Sequence, residues 1–492
     1  MKAGFEAVIG LEVHVQLLTR SKMFCACRNE VGGLPNSRTC PVCLALPGAL
    51  PVLNGEAVRM AIALGLAVGG EIRERSLFYR KQYFYPDLPK GYQITQGPVA
   101  VVENGWLTLP GDPQVRSGEG PVRARLERAH LEEDAGKSSH EFSDQHSHVD
   151  LNRAGVPLLE IVGAPDLRSA QEAYDFLKTL HRLVTFLGIC DGNLEEGSFR
   201  CDANVSVRRP GEPFGTRVEV KNLNSFRFVK LALEYELDRQ IALVEKGETF
   251  AMETRGWDAV HNVTRSQRTK EAAMDYRHFP EPDLPALVIT PEEVAAVWAA
   301  LPELPEARQG RFLVDYGVTP YEAGMLLQNR DFADFFEAVA QAANGKQAAN
   351  WMLGEVSRAL KERGGRLDAL ALAPAHLAEL IGLVEAGGLS LTMAKETVFP
   401  ALLAGEGSPK AIVAARGLGQ VSDRGAIETM VQSVLAASPG QLAQYQAGKE
   451  NLKGYFVGQV MKAGKGRLNP QLINEVLDQA LALGDPSGGT HD

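Results

Sequence analysis

An α+β protein is predicted by three observations. Strand-like alternation fills the first part of the chain, helical spacing takes over beyond a proline-dense segment ending at Pro285, and the composition is that of a globular chain. Hydrophobic residues make up 45% and charged residues 23% of 492 positions, which excludes a disordered, collagenous or low-complexity protein. That length exceeds one compact core, so two or three domains are expected.

Period two first appears in Ala7 to Leu17. Ala7, Ile9, Leu11, Val13, Val15 and Leu17 share one face, and Glu12, His14 and Gln16 share the other. The first face belongs to a core and the second to solvent or function. The most apolar stretch, Ala57 to Gly70, is broken by Arg59 and falls short of a bilayer span. The N-terminus reaches Glu6 without a signal core, so a cytoplasmic protein with no membrane segment is expected. Ser169 and Glu172 form a capping box for an amphipathic helix carrying Ala173, Phe176, Leu177, Leu180, Leu183, Val184 and Leu187, and Gly188 ends it.

Alternation returns at Arg200 to Arg208, where Arg200, Asp202, Asn204, Ser206 and Arg208 interleave with Cys201, Ala203, Val205 and Val207. It returns again at Arg217 to Lys221. No regular element continues through Phe279-Pro-Glu-Pro-Asp-Leu-Pro285, and a first domain of residues 1–292 is placed up to a boundary just beyond it. Helices follow over 293–405: Thr319-Pro-Tyr-Glu322 combines a cap, an N1 proline and an N3 glutamate, and Trp351, Met352, Val356 and Leu360 share a stripe. Gly405 to Pro409 reads as a linker to shorter helices over 406–480, and the polar terminus 481–492 is expected to be disordered. The last two helical segments either stand apart or form one module.

Charge narrows the function. With 51 Lys+Arg against 61 Asp+Glu the chain carries −10, which argues against a surface that binds nucleic acid throughout. A local basic patch remains: Lys449, Lys453, Lys462, Lys465 and Arg467 are opposed only by Glu450. On a helix, Phe456, Val457, Val460 and Met461 would face a core while Gln459 and Lys462 face outward, which suits phosphate contacts; a merely solvated basic helix is the plain alternative.

Of six cysteines, Cys25, Cys27, Cys40 and Cys43 cluster while Cys190 and Cys201 lie apart, which suits one local site in a reducing compartment better than a disulfide framework. Four soft ligands suit a structural tetrahedral zinc, the alternative being free thiols. Elsewhere the ionisable residues cluster. Glu12 and His14 share a strand face, His130-Leu-Glu-Glu133 ends a strand-like run, and Glu160 lies among Leu158, Leu159, Ile161 and Val162, where a carboxylate needs a partner. Carboxylates with an imidazole suit Mg²⁺ or Mn²⁺, leaving positions for phosphate oxygens. Asp, Asn and Ser are poor strand formers, so the polar face of Arg200 to Arg208 points to ligand contacts. There is no P-loop, no G-x-G-x-x-G and no G-x-S-x-G elbow, so a nucleotide would bind on a sheet through metal and basic side chains.

Several motifs now form a pattern. Ile9-Gly-Leu-Glu-Val-His-Val-Gln-Leu17, Tyr83-Phe-Tyr-Pro-Asp87, Leu131-Glu-Glu-Asp-Ala-Gly-Lys-Ser138, Asp150-Leu-Asn-Arg153, Arg200-Cys-Asp-Ala-Asn204, Glu219-Val-Lys-Asn-Leu-Asn-Ser-Phe226 and Asp275-Tyr-Arg277 resemble, in order, the B subunits of bacterial aspartyl/glutamyl-tRNA amidotransferases. Gly454 to Lys462 with Asn469-Pro-Gln471 is similar to the family's tail, and the main departure is His278, where a tyrosine is expected. The resemblance implies a catalytic cradle that phosphorylates a carboxylate with ATP, a helical domain and a tail that binds mischarged tRNA. It further implies ammonia from a partner amidase A subunit and bracing by a small C subunit. Carried over by position, His14, Glu133 and Glu160 form the magnesium site, with Glu12 completing or orienting it. Arg200, Asp202, Asn204, Lys221 and Asn222 are candidates for ATP or aminoacyl contacts, and the four cysteines match a zinc site found in some members. The rivals are a stand-alone ATP-dependent carboxylate–ammonia ligase and a non-enzymatic zinc-bearing RNA-binding scaffold.

Overall fold

The computed structural model describes residues 4–110, 112, 120–139, 145–269, 276–365, 367–419, 424–464 and 468–482. Asp275, Lys465, Arg467 and the terminus from 483 onward, where disorder is expected, lie outside the described residues. The chain divides into two compact units, Met1–Pro305 and Glu306–Asp492.

The first unit is built on one mixed sheet. Its strands are β1 (Glu6–Gln16), β2 (Glu71–Ile72), β3 (Phe78–Gln82), β4 (Tyr92–Gln96), β5 (Val102–Leu109), β6 (Val122–Glu133), β7 (Pro157–Gly163), β8 (Phe199–Arg208), β9 (Val218–Lys221), β10 (Glu253–Asp258), β11 (Val263–Thr269) and β12 (Phe279–Pro280). They run in the order β11-β10-β9-β8-β1-β7-β6-β4-β3-β12, with β5 also on β6 and β2 on β5. Among the described pairings only β9 with β10 is parallel. β1 sits at the centre with β7 and β8 antiparallel on its two sides.

The expected alternation holds: Ala7, Ile9, Leu11 and Val13 are buried. They pack with Leu159, Ile161, Ala203 and Val205 under helices α1 (Gly55–Ala67), α2 (Ala170–Phe186) and α3 (Phe226–Glu245). Helices α1, α2 and α3 therefore cover the apolar face near β1, and the polar side chains Glu12, His14 and Gln16 lie on the other. Ser169 caps α2 by accepting the Glu172 amide at 3.1 Å, while the Glu172 carboxylate accepts the Arg168 amide at 2.8 Å. The second arm of the capping box thus closes one residue early. Gly188 follows with φ +70°, the left-handed turn that stops the helix.

Helix α4 (Pro291–Ala300) follows the sheet. A Thr290/Glu293 capping box starts it, and Val294 and Val297 turn back onto the core of the first unit, so that unit continues past 292 to Pro305. In the second unit, Thr319 and Glu322 exchange both capping hydrogen bonds. Trp351, Met352 and Val356 are buried, although a π turn over Met352–Val356 interrupts that helix. Helix Pro409–Arg416 packs against Pro374–Glu385, so residues just after Gly405 stay with the preceding helices. A separate small core begins later, from Ile427 and Val431 through Phe456, Val460, Ile473 and Leu477 to Leu481. Among the described residues no helix is long and apolar enough to cross a membrane.

Candidate active site

The uncovered face of β1 and its neighbours gathers two imidazoles, His14 and His130, and four carboxylates, Glu12, Glu132, Glu160 and Asp202. His14 stands opposite Glu160 on β7 and Arg200 on β8, Glu12 stands opposite Asp202, and Glu160 stands opposite His130 on β6. His14 Nε2 lies 3.3 Å from Glu160, 3.6 Å from Glu132 and 3.9 Å from Glu12. His130 Nε2 lies 3.4 Å from Glu160 and 3.8 Å from Glu132, while its buried Nδ1 has no hydrogen-bond partner among the described residues. The partner that Glu160 needs is therefore a pair of histidines. Burial opposes protonation of His14, but the Glu160 hydrogen bond and the charges of Glu132, Glu160 and Glu12 outweigh it and lift the imidazole to about 9. Burial likewise opposes the Glu160 carboxylate, yet His130 and His14 hold it well below the usual range. Burial and the neighbouring Glu160 push Glu12 up.

Glu133 stands apart from this cluster, so of the expected set of His14, Glu133 and Glu160 the strands bring together His14 and Glu160. Successive residues of a strand point to opposite faces, so Glu133 follows Ala129 and Leu131 while Glu132 follows His130. Glu133 instead pairs with Lys90 and accepts the Ile94 amide at 3.1 Å. Alternation along Arg128 to Glu133 carries the signal for Glu132 and His130, but it is visible only once Ala129 and Leu131 are read as the core face.

Two cavities adjoin the face. The smaller, about 310 Å³, is lined by His14, Lys81, Tyr83, Gln93, Glu132, Asp134, Ala135, Arg153, Leu158, Arg200 and Asp202. The larger, about 880 Å³, shares Arg153, Arg200 and Asp202 with it and adds Gln16, Lys221, Asn222 and the segment Asn29–Gly32 among its lining. Arg200 Nη2 donates to Asp134 at 3.1 Å, Gln16 donates to the same carboxylate at 2.8 Å, and Arg153 donates to the carbonyls of Ala135 and Gly136 at 3.0 and 2.6 Å. Lys221 pairs with Asp202 and lies 3.2 Å from Glu219, and these acids outweigh burial to raise its ammonium. Asn222 takes a left-handed φ of +64° at the end of β9, which aims the chain into α3 past the larger cavity. Asn204 lies further along β8, opposite Gly10 and Glu219, and lines neither cavity.

The Cys25, Cys27, Cys40 and Cys43 sulfurs all lie within 4.8 Å of one another, in a group able to hold a metal. In the second unit Lys462 is exposed, Lys449 donates to Gln444 at 3.1 Å, and Lys453 pairs with Asp478 at 2.5 Å. Phe456 and Val460 face the core, with Val457 and Met461 at its edge, as the helical spacing predicts.

The family described as "GatB/GatE catalytic domain" matches residues 7–295, more than half of the chain. The chain belongs to this family. The matched catalytic domain contains every strand that carries the carboxylate–imidazole face. A second family, described as "GatB domain", matches residues 334–481. The chain is 52% identical over 481 residues to the B subunit of the aspartyl/glutamyl-tRNA(Asn/Gln) amidotransferase of Myxococcus xanthus, covering 97% of this chain and 99% of the relative. The corresponding protein of Alkalilimnicola ehrlichii is 52% identical over 482 residues, and that of Geobacter sulfurreducens 51% over 483, with the same coverage of each chain.

Proposed function

We propose that this chain is the ligase subunit that activates the side-chain carboxylate of Glu or Asp mischarged on tRNA(Gln) or tRNA(Asn), and amidates it with ammonia from a partner glutaminase. The observation that carries this reading is a buried carboxylate–imidazole face opening onto two joined cavities, in a chain with the relatives named above. Oxide is too poor a leaving group for direct amidation, so the γ-phosphoryl group of ATP is first moved to the carboxylate and ammonia then displaces phosphate. The larger cavity suits ATP, and the 310 Å³ cavity suits an aminoacyl side chain.

Glu12, His14 and Glu160, whose ligand atoms lie within 4.8 Å of one another, would hold Mg²⁺, with His130 and Glu132 grouped as closely around the same Glu160. When bound, Mg²⁺ supplies charge neutralisation at the phosphate oxygens. Of this chain's own groups, Arg200 and Lys221 offer cations to the nucleotide phosphates, while Asp134 keeps Arg200 aimed between the cavities. The four thiols fit a zinc that fills all four positions, hence a structural one. The tail, through Lys449, Lys453, Lys462, Lys465 and Arg467, holds tRNA phosphates, and an A subunit and a small C subunit complete the enzyme.

ATP turnover by the reconstituted complex tests the proposal. It is expected to rise strongly with mischarged tRNA and to need the glutaminase only for amidation from glutamine. Equal turnover with free carboxylic acids and no tRNA would favour a self-contained ligase, and turnover unaffected by Glu160→Gln would favour a scaffold.

A further inference from the structure

The cations of the smaller cavity are not equally committed. Arg200 is held by Asp134 at 3.1 Å, Arg153 by two carbonyls, and His14 by Glu160 at 3.3 Å. Lys81 is different. It lies on β3 in register with Gln93, and its ammonium sits 5.2 Å from the ring centre of Tyr276 and 5.9 Å from that of Tyr83. Among the described residues no carboxylate lies within ion-pair distance of it. Aromatic faces favour a cation without neutralising it, so Lys81 brings a full positive charge to the cavity that Glu132 and His14 also line.

That charge answers a problem set by the face itself. Glu12, Glu132 and Glu160 repel an incoming carboxylate, the Mg²⁺ proposed among them would be engaged with the nucleotide phosphates, and any substrate of the proposed reaction is a carboxylate. We propose that Lys81 anchors the side-chain carboxylate of the aminoacyl group, binding the oxygen that does not attack. This rests on the function proposed above. A lysine head is a point charge that can hold one carboxylate oxygen and leave the other free, whereas an arginine fork matches both. The free oxygen forms its bond to the γ-phosphorus as the bond from that phosphorus to the ADP oxygen breaks, and ADP leaves with the electron pair. The held oxygen becomes the carbonyl oxygen of the acyl phosphate. Ammonia then bonds to the carbonyl carbon, the carbon–oxygen bond to phosphate breaks, and phosphate departs carrying one proton from the nitrogen. Throughout, Lys81 faces the oxygen on which negative charge builds during that attack, and it exchanges no proton.

The test is steady-state kinetics of the complete complex with Lys81→Met and Lys81→Arg, alongside binding of uncharged tRNA. The Met variant is expected to raise KM for mischarged tRNA about ten- to a hundredfold, the value of a charge-assisted contact, with KM for ATP and affinity for uncharged tRNA unchanged. The Arg variant is expected to restore that KM while leaving kcat low, because its fork takes both oxygens. If melting shows that Lys81→Met does not fold, Lys81→Gln carries the same expectation. A KM for mischarged tRNA within about twofold of wild type, or a parallel loss for ATP or uncharged tRNA, overturns the anchor while the proposed function stands. A wild-type complex without ATP-dependent amidation overturns both.

Discussion

Glu132 and Glu133 are neighbours in the chain with opposite chemical prospects, because a strand turns one to the histidines and the other to Lys90. Glu132→Gln and Glu160→Gln are expected to fold and to weaken Mg²⁺-dependent ATP turnover by at least about tenfold to a hundredfold, measured as a shift in the Mg²⁺ titration. Glu133→Gln should instead lower stability by on the order of 3 kcal/mol in denaturant unfolding, since it leaves the Lys90 ammonium buried beside a neutral group. A Mg²⁺ titration disturbed by Glu133→Gln alone would contradict this division. The residues of the face were partly legible in the sequence. Glu12, His14 and Glu160 stand out because a charge amid apolar or alternating neighbours is costly. Glu132 and His130 do not, because alternation assigns them to this face only once Ala129 and Leu131 are known to lie in the core.

At the scale of elements, the cysteine cluster is tied to the loop that carries Arg153. Lys22 Nζ donates to the Leu151 carbonyl at 3.2 Å, the Asn152 side chain donates to the Leu34 carbonyl at 2.8 Å and accepts the Arg38 amide at 2.8 Å, and the Met23 amide reaches the Gly155 carbonyl at 2.8 Å. Asn29 to Gly32, just past Cys27, form part of the wall of the larger cavity. Removing the proposed zinc by chelation, or Cys40→Ser, is therefore expected to lower the melting temperature and to weaken ATP binding severalfold by isothermal titration; ATP affinity unchanged by chelation and by Cys40→Ser would confine the cluster to stability alone. A second element-scale prediction concerns Glu337, which joins the helix Arg330–Ala340 to Arg311 and Arg308 of the helix Pro305–Asp315. The Arg311 hydrogen bond, over a burial cost and with help from Arg308, holds its carboxyl below the ordinary 4.5. Its contribution is present above that value and is lost as pH falls through the depressed one, so the melting-temperature gap between wild type and Glu337→Gln should close on acidification. A gap that persists at low pH would assign the effect to packing. Helices were the most legible elements, through the caps at Ser169 and Thr319. Two-residue strands such as β2 and β12 carry no period to read, and the π turn at Met352–Val356 has no local signature.

For the whole molecule, a net charge of −10 leaves tRNA binding to local patches, and the proposed one belongs to the small core that begins at Ile427. Because helix Pro409–Arg416 packs on the preceding helices, a truncation after Gly419 removes that core cleanly. It should weaken tRNA binding and flatten its salt dependence while sparing ATP binding. An unchanged salt slope would move tRNA recognition elsewhere in the chain. The central claim, however, is that a carboxylate on tRNA is phosphorylated on the face of β1. It is tested most directly by trapping the acyl phosphate with hydroxylamine during a single turnover of the complex on mischarged tRNA, without glutamine. The account predicts an ATP-dependent hydroxamate on the aminoacyl side chain with the wild-type chain and none above background with Glu160→Gln. Amidation from added ammonia with no trappable hydroxamate, or equal trapping by the Glu160→Gln chain, would contradict it.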